Sequence, residues 1–224
     1  MVIFKTAWSG ANLLKNMKKY FLTGTDTGIG KTTVACHLLR QWNQQSLKTI
    51  GLKPIASGAE MHDGQLKNDD ALKLQQAASV KLPYEQVNPI VFPDDVSPNI
   101  AAENVGESLT VARVQLAIEN SLQVDADMAL IEGVGGWCVP LNDEGTTEDL
   151  AIALGFPIVL VVGIRLGCLN HALLTVKAIQ NAGLELVAWV ANCIDPDMLD
   201  VERNIKTLKQ RIDAPCWGVI NFSG

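Results

Sequence analysis

A strand-like run over residues 20–23 leads straight into Gly24-Thr25-Asp26-Thr27-Gly28-Ile29-Gly30-Lys31-Thr32-Thr33, which opens onto a stretch with helical apolar spacing. No other feature constrains the chain as much, because this junction has the make-up of a phosphate-binding loop. Glycines let successive backbone N–H groups converge on phosphate oxygens, and the helix that follows adds positive partial charge at its N-terminus. Lys31 has the reach for β- and γ-phosphates, the Thr32 hydroxyl is a hard ligand suited to Mg²⁺, and Gly28, Ile29, Gly30 and Thr33 complete the cradle. The spacing from Gly24 to Gly30-Lys31-Thr32 is one residue longer than the usual pattern, so Thr25 stands where the first glycine normally would. A nucleoside triphosphate is the expected ligand.

The rest of the chain supplies the frame such a loop needs. Apolar runs of strand length recur at residues 49–53, 128–132, 158–163 and 186–192, bounded by Gly, Pro or Asn. Between them, residues 31–45, 70–79, 111–122, 170–182 and 198–211 carry apolar side chains at three- and four-residue spacing. Near-continuous apolar strands alternating with amphipathic helices predict an α/β fold, a P-loop NTPase-like, mostly parallel sheet with helices on both faces. The segment 82–98 holds Pro83, Pro89, Pro93 and Pro98 and reads as a long ordered loop. Residues 1–16 show no apolar core or cleavage site of a signal peptide and read as a flexible N-terminal extension, with 17–224 forming a single P-loop domain.

Composition narrows the partners. With 24 acidic against 18 basic side chains and no Lys/Arg-rich run, nucleic acid is not an expected partner. No apolar stretch approaches the length of a membrane span. The five cysteines, Cys36, Cys138, Cys168, Cys193 and Cys216, are scattered and never in a C-x-x-C pair, which argues against disulfides and zinc and for small core residues in a reducing cytoplasm.

In open sheets of this kind ligands bind beyond the carboxyl ends of the strands. After the second strand come Lys53-Pro54-Ile55-Ala56-Ser57-Gly58, so a second ammonium and a hydroxyl reach the edge beside the phosphate loop. Two lysines there can stabilise a phosphoryl group in transit or an attacking carboxylate; a solvated surface lysine is the plain alternative. Asp70 begins a helix, as an N-cap or as a ligand. Glu132, followed by Gly133-Val134-Gly135-Gly136, ends the third strand, and with Thr32 and Asp70 it offers hard oxygen ligands for Mg²⁺. After the fourth strand, free N–H groups around Gly167, Cys168, Leu169 and Asn170 could bind a carboxylate, or Asn170 caps the helix. His171 has no neighbouring ligand in sequence and reads as an ordinary helix residue.

The loop, together with Lys53-Pro54-Ile55-Ala56-Ser57-Gly58, Glu132-Gly133-Val134-Gly135-Gly136-Trp137, Val162-Gly163, Leu166-Gly167-Cys168-Leu169-Asn170-His171 and Trp189-Val190-Ala191-Asn192, resembles the dethiobiotin synthetase family of the biotin pathway. The likeness runs in order from Lys18 to Phe222, and the lengthened phosphate loop is that family's form. It implies ATP- and Mg²⁺-dependent ring closure: 7,8-diaminononanoate and CO₂ give a carbamate, the carbamate attacks the γ-phosphate, and the second amine displaces phosphate to form a cyclic urea. On this resemblance Lys31 and Lys53 stabilise carbamate and γ-phosphate, with Asp26 near the lysines and Thr27 and Ser57 near the substrate's nitrogens or carbamate. Thr32, Asp70 and Glu132 hold the metal, and Gly133, Val134 and Gly135 line the nucleotide. Adenine is read near Asn192 and Cys193 and around Ile220, Asn221 and Phe222. The resemblance further implies a homodimer in which Gly167, Cys168, Leu169 and Asn170 reach the partner's substrate carboxylate. Gly28 replaces a phosphate-contacting Glu of some members, and Asn221 a common proline. The rival reading, a ParA-like partitioning or metal-delivery switch ATPase, would place a signature lysine where this chain has Asp26.

Overall fold

In the computed structural model, which describes residues 17–222, six strands lie side by side in the order β10-β9-β8-β1-β7-β2. They are β1 (Lys18–Gly24), β2 (Thr49–Leu52), β7 (Met128–Glu132), β8 (Ile158–Ile164), β9 (Leu186–Cys193) and β10 (Cys216–Ile220), and every pairing among them is parallel. The expected extension, residues 1–16, lies outside the described residues.

The strand sequences explain this sheet. Alternate side chains of a strand point to opposite faces, and both faces here are apolar. Leu130, Val159 and Val161 pack on one side with α1 (Lys31–Gln44), through Val34, Leu38, Leu39 and Trp42. Ile131, Leu160 and Val162 pack on the other with α5 (Val111–Glu119), α6 (Thr147–Leu154), α7 (Cys168–Asn181) and α8 (Val201–Arg211). Each fully buried Leu, Ile or Val contributes roughly 1.5–3 kcal/mol relative to exposure, so a strand that is buried on both faces is fixed in register. The chain runs from β1 to one side through β2 and β7 and to the other through β8, β9 and β10. The order therefore reverses at β1, where parallel sheets open a crevice at their carboxyl edge.

Several elements go beyond the sequence-based expectation. The segment 82–98 is not a single loop: it contains α3 (Tyr84–Val87) and β6 (Ile90–Val91), and Pro98 starts α4 (Pro98–Asn104). Proline is acceptable there because the first helical N–H has no intrahelical partner to lose. β6 pairs with β3 (Ile55–Ala56), and β4 (Glu60–His62) forms a hairpin with β5 (Gln65–Lys67). The helix expected at 70–79 is α2 (Asp69–Ala77), the one expected at 198–211 begins at Val201, and the one expected at 111–122 ends in a 3₁₀ turn, Asn120–Gln123. Among the described residues no helix is long and apolar enough to cross a membrane. All five cysteines are free, and Cys138 is exposed rather than a core residue, because it lies in the loop after β7 with its thiol directed at Glu148.

Candidate active site

The phosphate loop has the backbone its glycines permit. Gly28 and Gly30 adopt φ of 71° and 79°, in the left-handed region where a Cβ is strained. Gly30 occupies the N-cap of α1, and no side chain caps that helix. Its first-turn N–H groups are thus oriented for an anion. The loop is braced from beneath: the Asn192 amide donates to the Ile29 carbonyl at 2.7 Å, and a Cβ on Gly30 would come within 2.3 Å of the same Asn192 nitrogen.

Four segments bring charge to one place. Lys53, just past β2, donates from Nζ to Glu132 Oε1 at 2.8 Å and to Asp70 Oδ2 at 3.2 Å. The Thr32 hydroxyl donates to the same Glu132 Oε1 at 2.8 Å. Glu132, at the end of β7, is 1% exposed, and its Oε2 is buried with no hydrogen-bond partner. Burial opposes the charge on Lys53, but the Glu132 and Asp70 carboxylates outweigh it and raise its pKa above the ordinary lysine value. Asp70 is penalised by burial too, yet the Lys53 ammonium pulls its carboxyl below the usual range. Lys31 has no such partner. Its Nζ donates to the Asp26 carbonyl at 3.0 Å, and burial, aided by the Lys53 charge against the pull of Glu132, Asp70 and Asp26, lowers its pKa to about 8. A buried ammonium held only by a carbonyl is poised to take an anion.

Thr27, Gly28, Gly30, Lys31, Thr32, Thr33, Lys53, Ser57, Asp70, Glu132, Val134 and Gly135 line one open cavity of about 490 Å³. Gly135, with φ 62°, passes so close to the loop that a Cβ there would lie 3.4 Å from the Thr27 hydroxyl. Asp70 is not a helix cap: Asn68 takes that position, accepting from the N–H groups of Asp70 and Ala71, and this leaves the Asp70 carboxylate to face Lys53. Asp26 lies near Lys31, but its carboxylate pairs with Arg165 at 2.5 Å and accepts the Thr27 N–H at 2.8 Å.

Other expected residues stand apart from that cavity. Asn192 and Cys193 end β9 beside Ile220 of β10, with Asn221 and Phe222 exposed just beyond, so the segments expected to read adenine form one edge next to the phosphate loop. Gly167 precedes α7 with φ 92°, and Cys168, Leu169 and Asn170 form the first turn. Asn170 does not cap α7, because Gly167 holds the N-cap position and no side chain caps that end either. His171 is an exposed helix residue.

Sequence reasoning missed several groups here. Asn68, Cys36, His37, Arg40, Lys73 and Asp95 also line the cavity. His37, Arg40 and Lys73 are polar positions of helices and carry no signal in sequence. Arg165, by contrast, sits in the loop after β8, where a charged residue following seven buried ones is a detectable clue.

The chain is similar to known proteins along nearly its whole length. A family model described as an AAA domain matches residues 18–223. The ATP-dependent dethiobiotin synthetase BioD of Cellvibrio japonicus (strain Ueda107) is 51% identical over 203 residues, covering 91% of this chain and 89% of that protein. The protein of the same name from Pseudomonas paraeruginosa (strain DSM 24068 / PA7) is 48% identical over 202 residues, 90% of this chain and 89% of the other. Among solved structures, chloroplast FtsY from Physcomitrella patens matches with a TM-score of 0.50 at 16% identity, over 96% of this chain and 61% of that one, a likeness of fold alone.

Proposed function

Because this chain belongs to the family of ATP-dependent dethiobiotin synthetases, we propose a division of labour among its cavity residues for the ring-closing ligase reaction of biotin biosynthesis. The chain is an ATP-dependent ligase. One amine of 7,8-diaminononanoate adds to CO₂ and loses a proton to give a carbamate; a carbamate oxygen attacks the γ-phosphorus and ADP leaves. The second amine then attacks the carbamoyl carbon, phosphate departs, and a proton is lost as the cyclic urea closes. The observation that carries the assignment is the convergence of Lys31, Lys53, Asp70, Glu132 and Thr32 on one cavity beneath the phosphate loop.

Binding and charge neutralisation are most of what this chemistry asks of a protein. The first-turn N–H groups of α1 hold phosphate oxygens. Lys31 exchanges the Asp26 carbonyl for the β- and γ-phosphates, a gain because an ion pair replaces a neutral acceptor. Lys53, kept protonated by its two carboxylates, stabilises the negative charge that passes from carbamate to phosphoryl oxygen. Thr27 and Ser57, which both line the cavity, orient the diamine nitrogens and the carbamate.

The residues present fit Mg²⁺. Glu132 Oε2 is a buried carboxylate oxygen without a partner, beside the Thr32 hydroxyl and Asp70. Among the described residues no three His, Cys, Asp or Glu cluster as a metal cage; Mg²⁺ needs only one or two carboxylates when phosphates and waters supply the rest. Thr32, Asp70 and Glu132 would hold it, and when bound it neutralises charge on the β- and γ-phosphate oxygens.

The reading extends to adenine at Asn192, Cys193, Ile220, Asn221 and Phe222, and to a cytoplasmic homodimer in which Gly167, Cys168, Leu169 and Asn170 meet the partner's substrate carboxylate. In support, the uncapped start of α7 is suited to an anion, and Leu166 and Leu174 beside it are 91% and 60% exposed. The deciding experiment measures ADP release. It should require diaminononanoate, bicarbonate and Mg²⁺ together, and equal hydrolysis without the diamine would favour a switch ATPase instead.

A further inference from the structure

Ser57 and Asp70 are joined covalently only through the exposed hairpin β4–β5, whose Met61 is 65% exposed. Such a connection does not fix one residue against the other. A half-buried polar relay does. The Asn68 backbone N–H donates to the Tyr84 hydroxyl at 2.6 Å, and that hydroxyl donates to Asn88 Oδ1 at 2.8 Å. Asn88, 2% exposed, donates from Nδ2 to the Lys53 carbonyl at 2.6 Å. Asn68 in turn caps α2 at Asp70 and Ala71 and donates from Nδ2 to the Ser57 carbonyl at 3.2 Å. One phenol therefore links the three segments that carry Lys53, Ser57 and Asp70, although it does not itself line the cavity.

We infer that Tyr84 is a positioning residue for the ligase reaction: through Asn68 and Asn88 its hydroxyl sets where Lys53, Ser57 and Asp70 stand relative to one another. This rests on the roles given to those three residues above. Burial raises the Tyr84 pKa above its ordinary value, so the hydroxyl remains a proton donor to Asn88 across the working range. The relay fits a positioning task because Tyr84 and Asn88 stand off the cavity, and Asn68, which lines it, directs its side-chain oxygen to the start of α2 and its amide to the Ser57 carbonyl. Displacements of about 1 Å in such groups can cost on the order of 10²-fold in rate, and loss of one hydroxyl from a packed ring should displace them less.

The test is Tyr84→Phe, assayed below its melting temperature. We expect kcat to fall about tenfold and the KM for the diamine to rise severalfold, with the KM for ATP within twofold, since the phosphate loop is not in the relay. Amide hydrogen exchange should quicken at residues 68–71 and stay unchanged along α1. If kcat and both KM values remain within twofold of wild type, or if α1 loosens as much as α2, the inference is wrong. Asn68→Asp keeps a capping oxygen but removes the donor to Ser57, and should raise the diamine KM alone; it decides the matter if Tyr84→Phe does not fold, and an unchanged KM overturns the inference. Lys53→Ala and Asp70→Asn serve as controls. Should both turn over at the wild-type rate, the underlying site assignment fails instead, whatever Tyr84→Phe does.

Discussion

The Lys53 ammonium and the Glu132 carboxylate, 79 residues apart in sequence, meet at 2.8 Å with side-chain exposures of 8% and 1%. Such a pair gains little over an apolar replacement of both partners, but removing one strands a buried charge at a cost of about 3–5 kcal/mol. Lys53→Met should therefore lose several kcal/mol of stability in urea unfolding, and Lys53→Met with Glu132→Gln should lose much less than the two single changes added. Additive losses would mean that the pair is not coupled. In the same variants kcat should fall by about 10²-fold or more, the scale of one lost electrostatic stabiliser, in the double variant as well as the single one. Stability and turnover thus respond differently to the second substitution.

The brace beneath the phosphate loop predicts a second separation. Asn192→Ala leaves the Ile29 carbonyl without its donor, and an unmet buried acceptor costs about 1–3 kcal/mol; the KM for ATP should rise as the loop slackens. Gly30→Ala is worse, because φ of 79° disfavours any Cβ and the added carbon would meet Asn192 at 2.3 Å. ATP binding, followed by calorimetry, should be lost in Gly30→Ala and only partly restored by Asn192→Ala in the same chain, since the second change removes the clash and not the backbone strain. Full restoration would assign the whole effect to the clash.

What sequence showed and what it hid follow from the range of the interactions. The parallel sheet was legible because residues 128–131 and 158–162 are apolar throughout, a pattern that only burial on both faces tolerates. The loop from Gly24 to Thr33 was legible because its chemistry is local. β10 went unread: Cys216–Ile220 is only five residues long, is interrupted at its centre by Gly218 and, as an edge strand, is only partly buried. α6 is eight residues long, too short for periodicity to show, although Thr146 and Asp149 form a capping box before it. The pairing of Asp26 with Arg165, across 139 residues, and the relay from Asn68 through Tyr84 to Asn88 exist only once the sheet has set the segments side by side.

That capping box makes acid stability testable. The Thr146 hydroxyl and backbone N–H donate to Asp149 Oδ2 at 2.7 and 2.8 Å and hold its carboxyl below the usual range. A depressed carboxyl contributes its full stability above the unfolded pKa, about 3.9, and loses it as the pH falls through the folded value. Asp149→Asn should therefore be less stable than wild type by about 0.5 kcal/mol at pH 7, the scale of a charge at a helix N-terminus. The gap should begin to close as the pH falls below about 4. Urea unfolding at pH 7 and near pH 3 checks this, and a gap independent of pH would refute it.

The pair between Asp26 and Arg165 gives the last expectation. Both side chains are roughly two-fifths exposed, at 44% and 41%, so solvent screens them and the pair should contribute less than about 1 kcal/mol to folding. Its position matters more than its strength. The Asp26 carboxylate accepts a hydrogen bond from the Thr27 N–H, and its carbonyl accepts one from the Lys31 ammonium. In Arg165→Ala that carboxylate is left uncompensated beside the place where the triphosphate binds, and repulsion of about 1 kcal/mol at a partly solvated site corresponds to roughly a fivefold rise in the KM for ATP. Added salt should shrink the rise, because screening weakens the repulsion, and Asp26→Asn in the same chain should remove most of it by discharging the carboxylate. A KM for ATP in Arg165→Ala that matches wild type at low salt would show that the guanidinium does not shield the nucleotide from Asp26.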